Sequence, residues 1–411
     1  MDKAIEQLAR EREQRVKDAV DLKEPDRVPV LIPMSYYPAK FAGITIADAY
    51  YNPEKWRKAY IAAVQYLQPD RTSLTANQAG SVYEILGSKQ MQWPGHGVGV
   101  NSSHQFVEGE YMKADEYDDY LNNNADWVIR RYLPRVWKAL EPFGELPSFE
   151  TSLFSLPFRN LATPEFAQSF EALTKAARIA VEWQKETAIL AQELEEIGYS
   201  QKGEGMGAGS PFDMISDFLR GMRGAMLDMY RCPDKLLELI ELQSNRQLER
   251  IRAMPPAEHF TLCFTALHRG ADGFMSLKQF DTFYWPYLLK NIKAMVEKGY
   301  TPNIFFEGDY TSRLERLLEM PKGKVVASMD RSDMKRSKEV LGGHVCILGA
   351  VPPSLLQTGS VEDVKQHCKW LIDVVGKGGG YIMAPAAATD QAKTENLKAV
   401  VDFTKEYGRY R

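Results

Sequence analysis

Eight short runs of β-branched or apolar residues constrain this chain's fold more than any other feature. They cover residues 28–33 (VPVLIP), 71–75 (RTSLT), 199–206, 260–265 (FTLCFT), 303–307 (NIFFE), 324–329 (KVVASM), 345–349 (VCILG) and 381–384 (YIMA). Amphipathic helical patterns lie between the later runs, for example over residues 312–320 and 361–375. That alternation is the signature of a parallel sheet with helical crossovers. At a count of eight, a closed barrel is the common solution, so the expected class is α/β, a (β/α)8 TIM barrel. The second and third runs are separated by an aromatic-rich polar stretch, about 77–199. It reads as an insertion over the barrel mouth within a single barrel domain spanning 25–411, preceded by an N-terminal helix over 1–24.

Charge and cysteine usage exclude several classes of function. Fifty-one basic against 55 acidic residues leave a formal charge of −4, with no field suited to nucleic acid or to a polybasic membrane anchor. No run approaches the roughly 18 apolar residues of a membrane span. The opening MDKAIEQLAREREQRVKDAVDL is a charged amphipathic pattern without the apolar stretch of a signal peptide. Cys232, Cys263, Cys346 and Cys368 show no CxxC spacing, which predicts a reducing, cytoplasmic setting.

In a barrel of this kind the site lies where strands run into the loops at the C-terminal face. That rule singles out Glu307 and Asp309 after the fifth run and Asp330 and Asp333 after the sixth. It also selects Ser35, Tyr36 and Tyr37 after the first, Glu204 near the end of the third, and His268 and Arg269 after the fourth. A ring of acids beside aromatic residues predicts metal binding, proton transfer or both. Glu307 stands out, since it ends a strand and precedes a glycine, so its carboxylate should project into the mouth. A buried acid there needs a cation, a metal or a substrate. His344-Val345-Cys346 has the spacing of a zinc pair, but its position before and within a strand, with no third ligand in register, favours a buried structural cysteine. The glycine-rich run 203–209 lacks a surrounding dinucleotide half-sheet, and the glycines at 378–380 fall at the bottom face.

Several segments, in order, resemble the uroporphyrinogen decarboxylase superfamily. PDRVPV at 25–30 is similar to its opening strand. GSPFDMISDFLRGMRGAMLDMYRCPDKLLELIE is similar to its G-x-P-F…LRG…D-x-Y-x-x-P stretch. GFMSLKQFDTFYWPYLLKNIKAMVEKG and LGAVPPSLLQTGSVEDVK are similar to two later ones. The resemblance implies a distorted (β/α)8 barrel and, in many members, a homodimer. The arginine-rich segment that holds tetrapyrrole carboxylates in the decarboxylases is replaced here by IPMSYYPAKFAG, and the F-S-D-I-L aspartate by SVYEILG, whose acid is Glu84. Porphyrinogen decarboxylation is therefore not expected.

The other branch of the superfamily holds corrinoid-dependent methyltransferases. Its coenzyme M-methylating members bind zinc through an H-x-C pair and a late cysteine. Here Phe305 and Glu307 stand at the pair and Ala386 to Ala388 at the late position. Carboxylates in place of thiolates suit oxygen chemistry. The resemblance thus implies an O-demethylase-type enzyme that moves a methyl group from an aryl methyl ether, or another methylated small molecule, to Co(I) on a separate corrinoid protein. In that reading Glu307, Asp330, His268 and Tyr36 are catalytic, with Glu307 and Asp330 able to hold a metal such as zinc. Tyr37, Trp93, Phe212, Arg269 and Glu204 contact substrate. A decarboxylase of a small carboxylic acid and a non-catalytic corrinoid- or tetrapyrrole-binding protein are the alternatives.

Overall fold

The computed structural model describes residues 3–74, 78–148, 158–200 and 204–410. Among them are eleven strands in chain order. β1 (Leu31–Pro33) and β2 (Arg71–Ser73) come first, and β3 (Met91–Pro94), β4 (Gly97–Val98) and β5 (Gln105–Phe106) belong to the insertion. Then follow β6 (Glu204–Met206), β7 (Leu262–Leu267), β8 (Thr301–Phe306), β9 (Val326–Met329), β10 (Cys346–Leu348) and β11 (Tyr381–Ile382). Each of the eight runs read from the sequence overlaps one strand outside the insertion.

β6 to β11 form one parallel sheet in sequential order, and β1 pairs with β2 in parallel. A parallel bridge between Val30 and Met383 joins the two pieces, with Leu31 N–H donating to Met383 O at 2.9 Å. The spatial order is therefore β2-β1-β11-β10-β9-β8-β7-β6, the order of a (β/α)8 barrel. The expected closure is not made, since no pairing joins β2 to β6 among the described residues. Both edge strands are three residues long, and the whole insertion leaves and re-enters the barrel between them.

Side chains alternate across this sheet as strand geometry requires. Ile304, Phe306, Ala327, Met329, Ile347, Tyr381 and Met383 face outward into the main core beneath the surrounding helices. Leu31, Leu262, Val326, Cys346, Leu348 and Ile382 face inward. The first helix, Lys3–Val20, closes the barrel bottom by packing Val16, Ala19 and Val20 against that inner set. Cys346 is thus a buried core thiol, its pKa driven up by burial.

The insertion builds a small sheet in the order β4-β3-β5 and several helices, including the long Pro164–Glu196. It is anchored to the helices that follow β6. Met112 N–H donates to Leu219 O at 2.7 Å, and the Tyr117 hydroxyl donates to Asp228 Oδ2 at 2.7 Å. Asp228 is in turn paired with buried Arg220 at 2.6 Å. No helix among the described residues is long and apolar enough to cross a membrane.

Candidate active site

The barrel axis carries a cavity of about 640 Å³, lined among others by Ser73, Phe264, Asn303, Phe305 and Ser328. Alternation along each strand then places the residues above it. Two positions on from Phe305 and Ser328 come Glu307 and Asp330, and four on from Phe264 comes His268. These three sequence-selected residues stand just past the C-terminal ends of strands whose earlier residues line the cavity, and none of the three lines it. Phe264 is 52% exposed although it faces into the barrel, and its ring stacks on Phe305 with centroids 6.3 Å apart.

Glu307 is exposed at the mouth. The following Gly308 has φ +91°, a conformation open to glycine and strained for other residues. The turn it makes points its N–H at Asp330 Oδ2, 2.9 Å away. Asp330 is thereby occupied in joining the ends of β8 and β9. The expected metal pair lacks company, since no group of three His, Cys, Asp or Glu side chains converges among the described residues. The donor set does not fit zinc.

His268 is held more firmly than the sequence suggested. Its Nδ1 is hydrogen-bonded to the Asp217 carboxylate, and its backbone N–H donates to Asp213 Oδ2 at 3.0 Å. The carboxylate of Asp217 raises the imidazole pKa above its ordinary value, against the effect of burial, with Asp213 and Glu307 adding smaller contributions of the same sign. Arg269 serves the same assembly. It donates to Asp217 Oδ1 at 3.0 Å and to Ser216 Oγ at 2.9 Å, and so is committed to protein partners.

Asp213, Ser216 and Asp217 share one helical face because they lie three and four residues apart, where Pro211–Ile215 runs into the π-helical turn Ser216–Arg220. Sequence reasoning passed over both aspartates, although the acid pair at i and i+4 in PFDMISD was a readable signal. Asp213 is buried and accepts from Tyr284 Oη at 2.5 Å and from the backbone N–H groups of His268 and Arg269.

Burial pushes the Asp213 carboxyl up to about 6, well above an unfolded aspartate. With the folded value above the unfolded one, the native chain holds a proton that the unfolded chain has lost, and stability falls as pH rises from about 4 to 6. Asp213→Asn should remove that dependence. Urea unfolding of both proteins at pH 4 and pH 7 should show the variant gaining on the wild type by ~3 kcal/mol across the interval.

Four other sequence-selected residues lie away from the cavity lining. Tyr36 is buried, with its hydroxyl 2.6 Å from Tyr50 Oη and 3.2 Å from His104 Nδ1, and burial raises its pKa far out of the range of a proton donor. Its backbone N–H donates to Asp390 Oδ1 at 2.8 Å. Tyr37 is fully buried with its hydroxyl on Thr394 Oγ1 at 3.1 Å, and Phe212 packs against Tyr284 in the core. Trp93 belongs to the insertion, stacked on His96 with its indole N–H on Tyr51 Oη at 2.9 Å. None of these four lines the cavity. An aromatic residue near a strand end is drawn into packing when its neighbours offer apolar contact, and the sequence does not say which way it turns. Glu204 opens β6 opposite Leu262, and its side chain lies outside the described residues. Among the described residues, the cavity's aromatic ones are instead Phe264 and Phe305, and its cationic one is Arg71.

Three comparisons bear on this arrangement. A family model described as uroporphyrinogen decarboxylase (URO-D) matches residues 158–407. A solved structure described as a methyltransferase from Methanosarcina mazei superposes with a TM-score of 0.60 at 17% identity, covering 96% of this chain and 98% of that one. At that identity the likeness is one of fold. No curated protein matches the chain.

Proposed function

This chain belongs to the uroporphyrinogen decarboxylase family, and from that premise we propose that it is a methyltransferase. It moves a methyl group from a methoxylated aromatic, or another methylated small molecule, to the cobalt of a corrinoid carried on a separate protein. The observation that carries this reading is an aromatic-walled cavity with, after the end of one of its strands, an imidazole whose pKa a carboxylate raises.

A substrate ring packs on Phe264, whose open face otherwise meets solvent. Loss of methyl from an ether needs a proton on the departing oxygen, because an alkoxide or phenolate leaves poorly. In this reading His268 gives that proton through Nε2 while Asp217 holds Nδ1. Glu307 beside it favours the charged imidazolium. A corrinoid docked at the mouth would supply the nucleophile that takes up the methyl group. The exposure of Glu307 and the half-exposed side chain of His268 suit an approach from that side.

The cation content of the cavity argues against the family's tetrapyrrole chemistry. A substrate with eight carboxylates needs several arginines or lysines, whereas among the described residues the cavity's lining includes one cation, Arg71. Arg269 is bound to Asp217, and Arg331 is an exposed side chain 3.9 Å from Asp330.

The test is an anaerobic assay of free or protein-borne Co(I) corrinoid with aryl methyl ethers, methylamines and methanol, read as loss of the Co(I) absorbance. Methylation of the corrinoid with the aryl ethers is the expected result. No conversion with any donor, using folded protein, would turn the assignment toward a decarboxylase of a small acid or a corrinoid-binding protein. Where conversion is seen, Glu307→Gln should lower it at least about tenfold, whereas in a non-catalytic corrinoid-binding protein the same change should leave binding of the corrinoid protein intact.

A further inference from the structure

Asn303 is the one polar side chain of β8 that faces into the cavity below Phe305 with no hydrogen bond to explain it. It is 8% exposed, lines the cavity, and its Oδ1 has no hydrogen-bond partner. A buried amide left in that condition costs about 1–3 kcal/mol, and such a group calls for a reason. Its neighbours offer none, since across β7 it pairs with Phe264 and across β9 with Val326.

Asn303 sits two residues before Phe305 on the inward face of β8, about 7 Å along the strand, so a ring packed beside Phe305 presents its buried end to the amide. The wall at that level is the exposed ring of Phe264 stacked on Phe305.

We propose that Asn303 is a substrate-binding residue, and that the cavity takes one aromatic ring bearing a hydroxyl opposite the group presented at the mouth, with that hydroxyl held by the Asn303 amide. This rests on the methyltransferase reading for what happens at the mouth, but the binding site itself does not depend on it. The amide takes the place that bulk water gives a phenol, while methoxybenzene, lacking the hydroxyl, leaves the amide unpaired.

The experiment is calorimetric titration of the whole protein, without corrinoid, using 4-methoxyphenol, 3-methoxyphenol and methoxybenzene. The expected result is that 4-methoxyphenol binds about tenfold tighter than methoxybenzene, as one hydrogen bond to a buried group implies, with 3-methoxyphenol between them. In Asn303→Leu that preference should vanish while the Kd for methoxybenzene stays within about twofold, which also reports that the variant is folded. Asn303→Ser, smaller and still polar, should keep part of the preference. Phe264→Ala should weaken all three ligands alike. Equal binding of the three by the wild type, a preference that survives Asn303→Leu, or no binding of any ring would overturn the assignment. Binding with the expected preference but no methyl transfer to Co(I) would leave the site standing and remove the reaction proposed for it.

Discussion

His268→Gln should lower methyl transfer by roughly 10²–10⁴-fold, the usual worth of a positioned general acid, while ligand binding in the cavity changes little. Glutamine keeps a hydrogen-bonding group near Asp217 but has no proton to give at neutral pH. The pH dependence is the sharper readout. The acid form of His268 is lost as pH rises, so transfer by the wild type should fall with increasing pH through a midpoint above the ordinary histidine value. The Asp217 carboxylate is the leading cause of that elevation. Asp217→Asn should therefore move the midpoint downward, and Asp217→Glu should restore part of it. A wild-type profile flat from pH 6 to 9, or one unmoved by Asp217→Asn, would rule out His268 as the proton donor. The Asp213→Asn variant belongs in the same series. Asp213 bonds the backbone N–H groups of His268 and Arg269, and its charge adds less to the ring's elevation than Asp217 does, so the shift in midpoint there should be smaller than in Asp217→Asn.

The second large effect is one of stability and lies at the opposite end of the barrel. Asp70 is buried and accepts from Arg15 Nη1 at 2.7 Å, from both Nη atoms of Arg27 at 2.7 Å, and from Val30 N–H at 2.8 Å. It ties the N-terminal helix to the starts of β1 and β2. Removing one member of such a group leaves charges buried without compensation, at a cost of about 3–5 kcal/mol. Asp70→Ala should lose that much in urea unfolding at pH 7. Lys405 responds to the same carboxylate. Burial holds its pKa down to about 8, with Asp70 opposing that and Arg27 and Arg12 adding to it. Without Asp70, Lys405 should lose its proton at a lower pH still. Combining Asp70→Ala with Arg27→Met should recover part of the loss, because it removes one of the stranded cations. A loss below about 1 kcal/mol, the level of an exposed pair, would show that water reaches the cluster freely.

The sequence by itself determined the strand content and the level of the site. Each run of apolar residues became a strand because β-branched and aromatic side chains pack well on a pleated surface, and because turn residues such as Pro25-Asp26 and Gln68-Pro69-Asp70 punctuate them. Once the runs are strands of a parallel array, Glu307, Asp330 and His268 must fall at their C-terminal ends, whatever else the chain does. The segment PFDMISD likewise carried its acid pair in plain view, four residues apart.

What only the tertiary structure decided is what each of those side chains meets. Periodicity states which face is buried but not against what. Tyr37, Phe212 and Trp93 therefore looked like substrate contacts and Tyr36 like a catalytic residue, and all four are packed into cores, while Phe264 and Phe305 form the wall. Asp330 looked like a metal ligand and is bonded to Gly308, because the left-handed turn after Glu307 brings that N–H within reach. Asp217 reaches His268 from 51 residues away in the chain. Asn303 is conspicuous only once a cavity is seen beside it. The seam between β2 and β6 was equally hidden, for closure depends on how two three-residue strands approach across an insertion, and no local pattern encodes that distance. Contacts between residues far apart in sequence are set by the summed packing of the whole chain, and here they separate the residues that line the cavity from those held in the network above it.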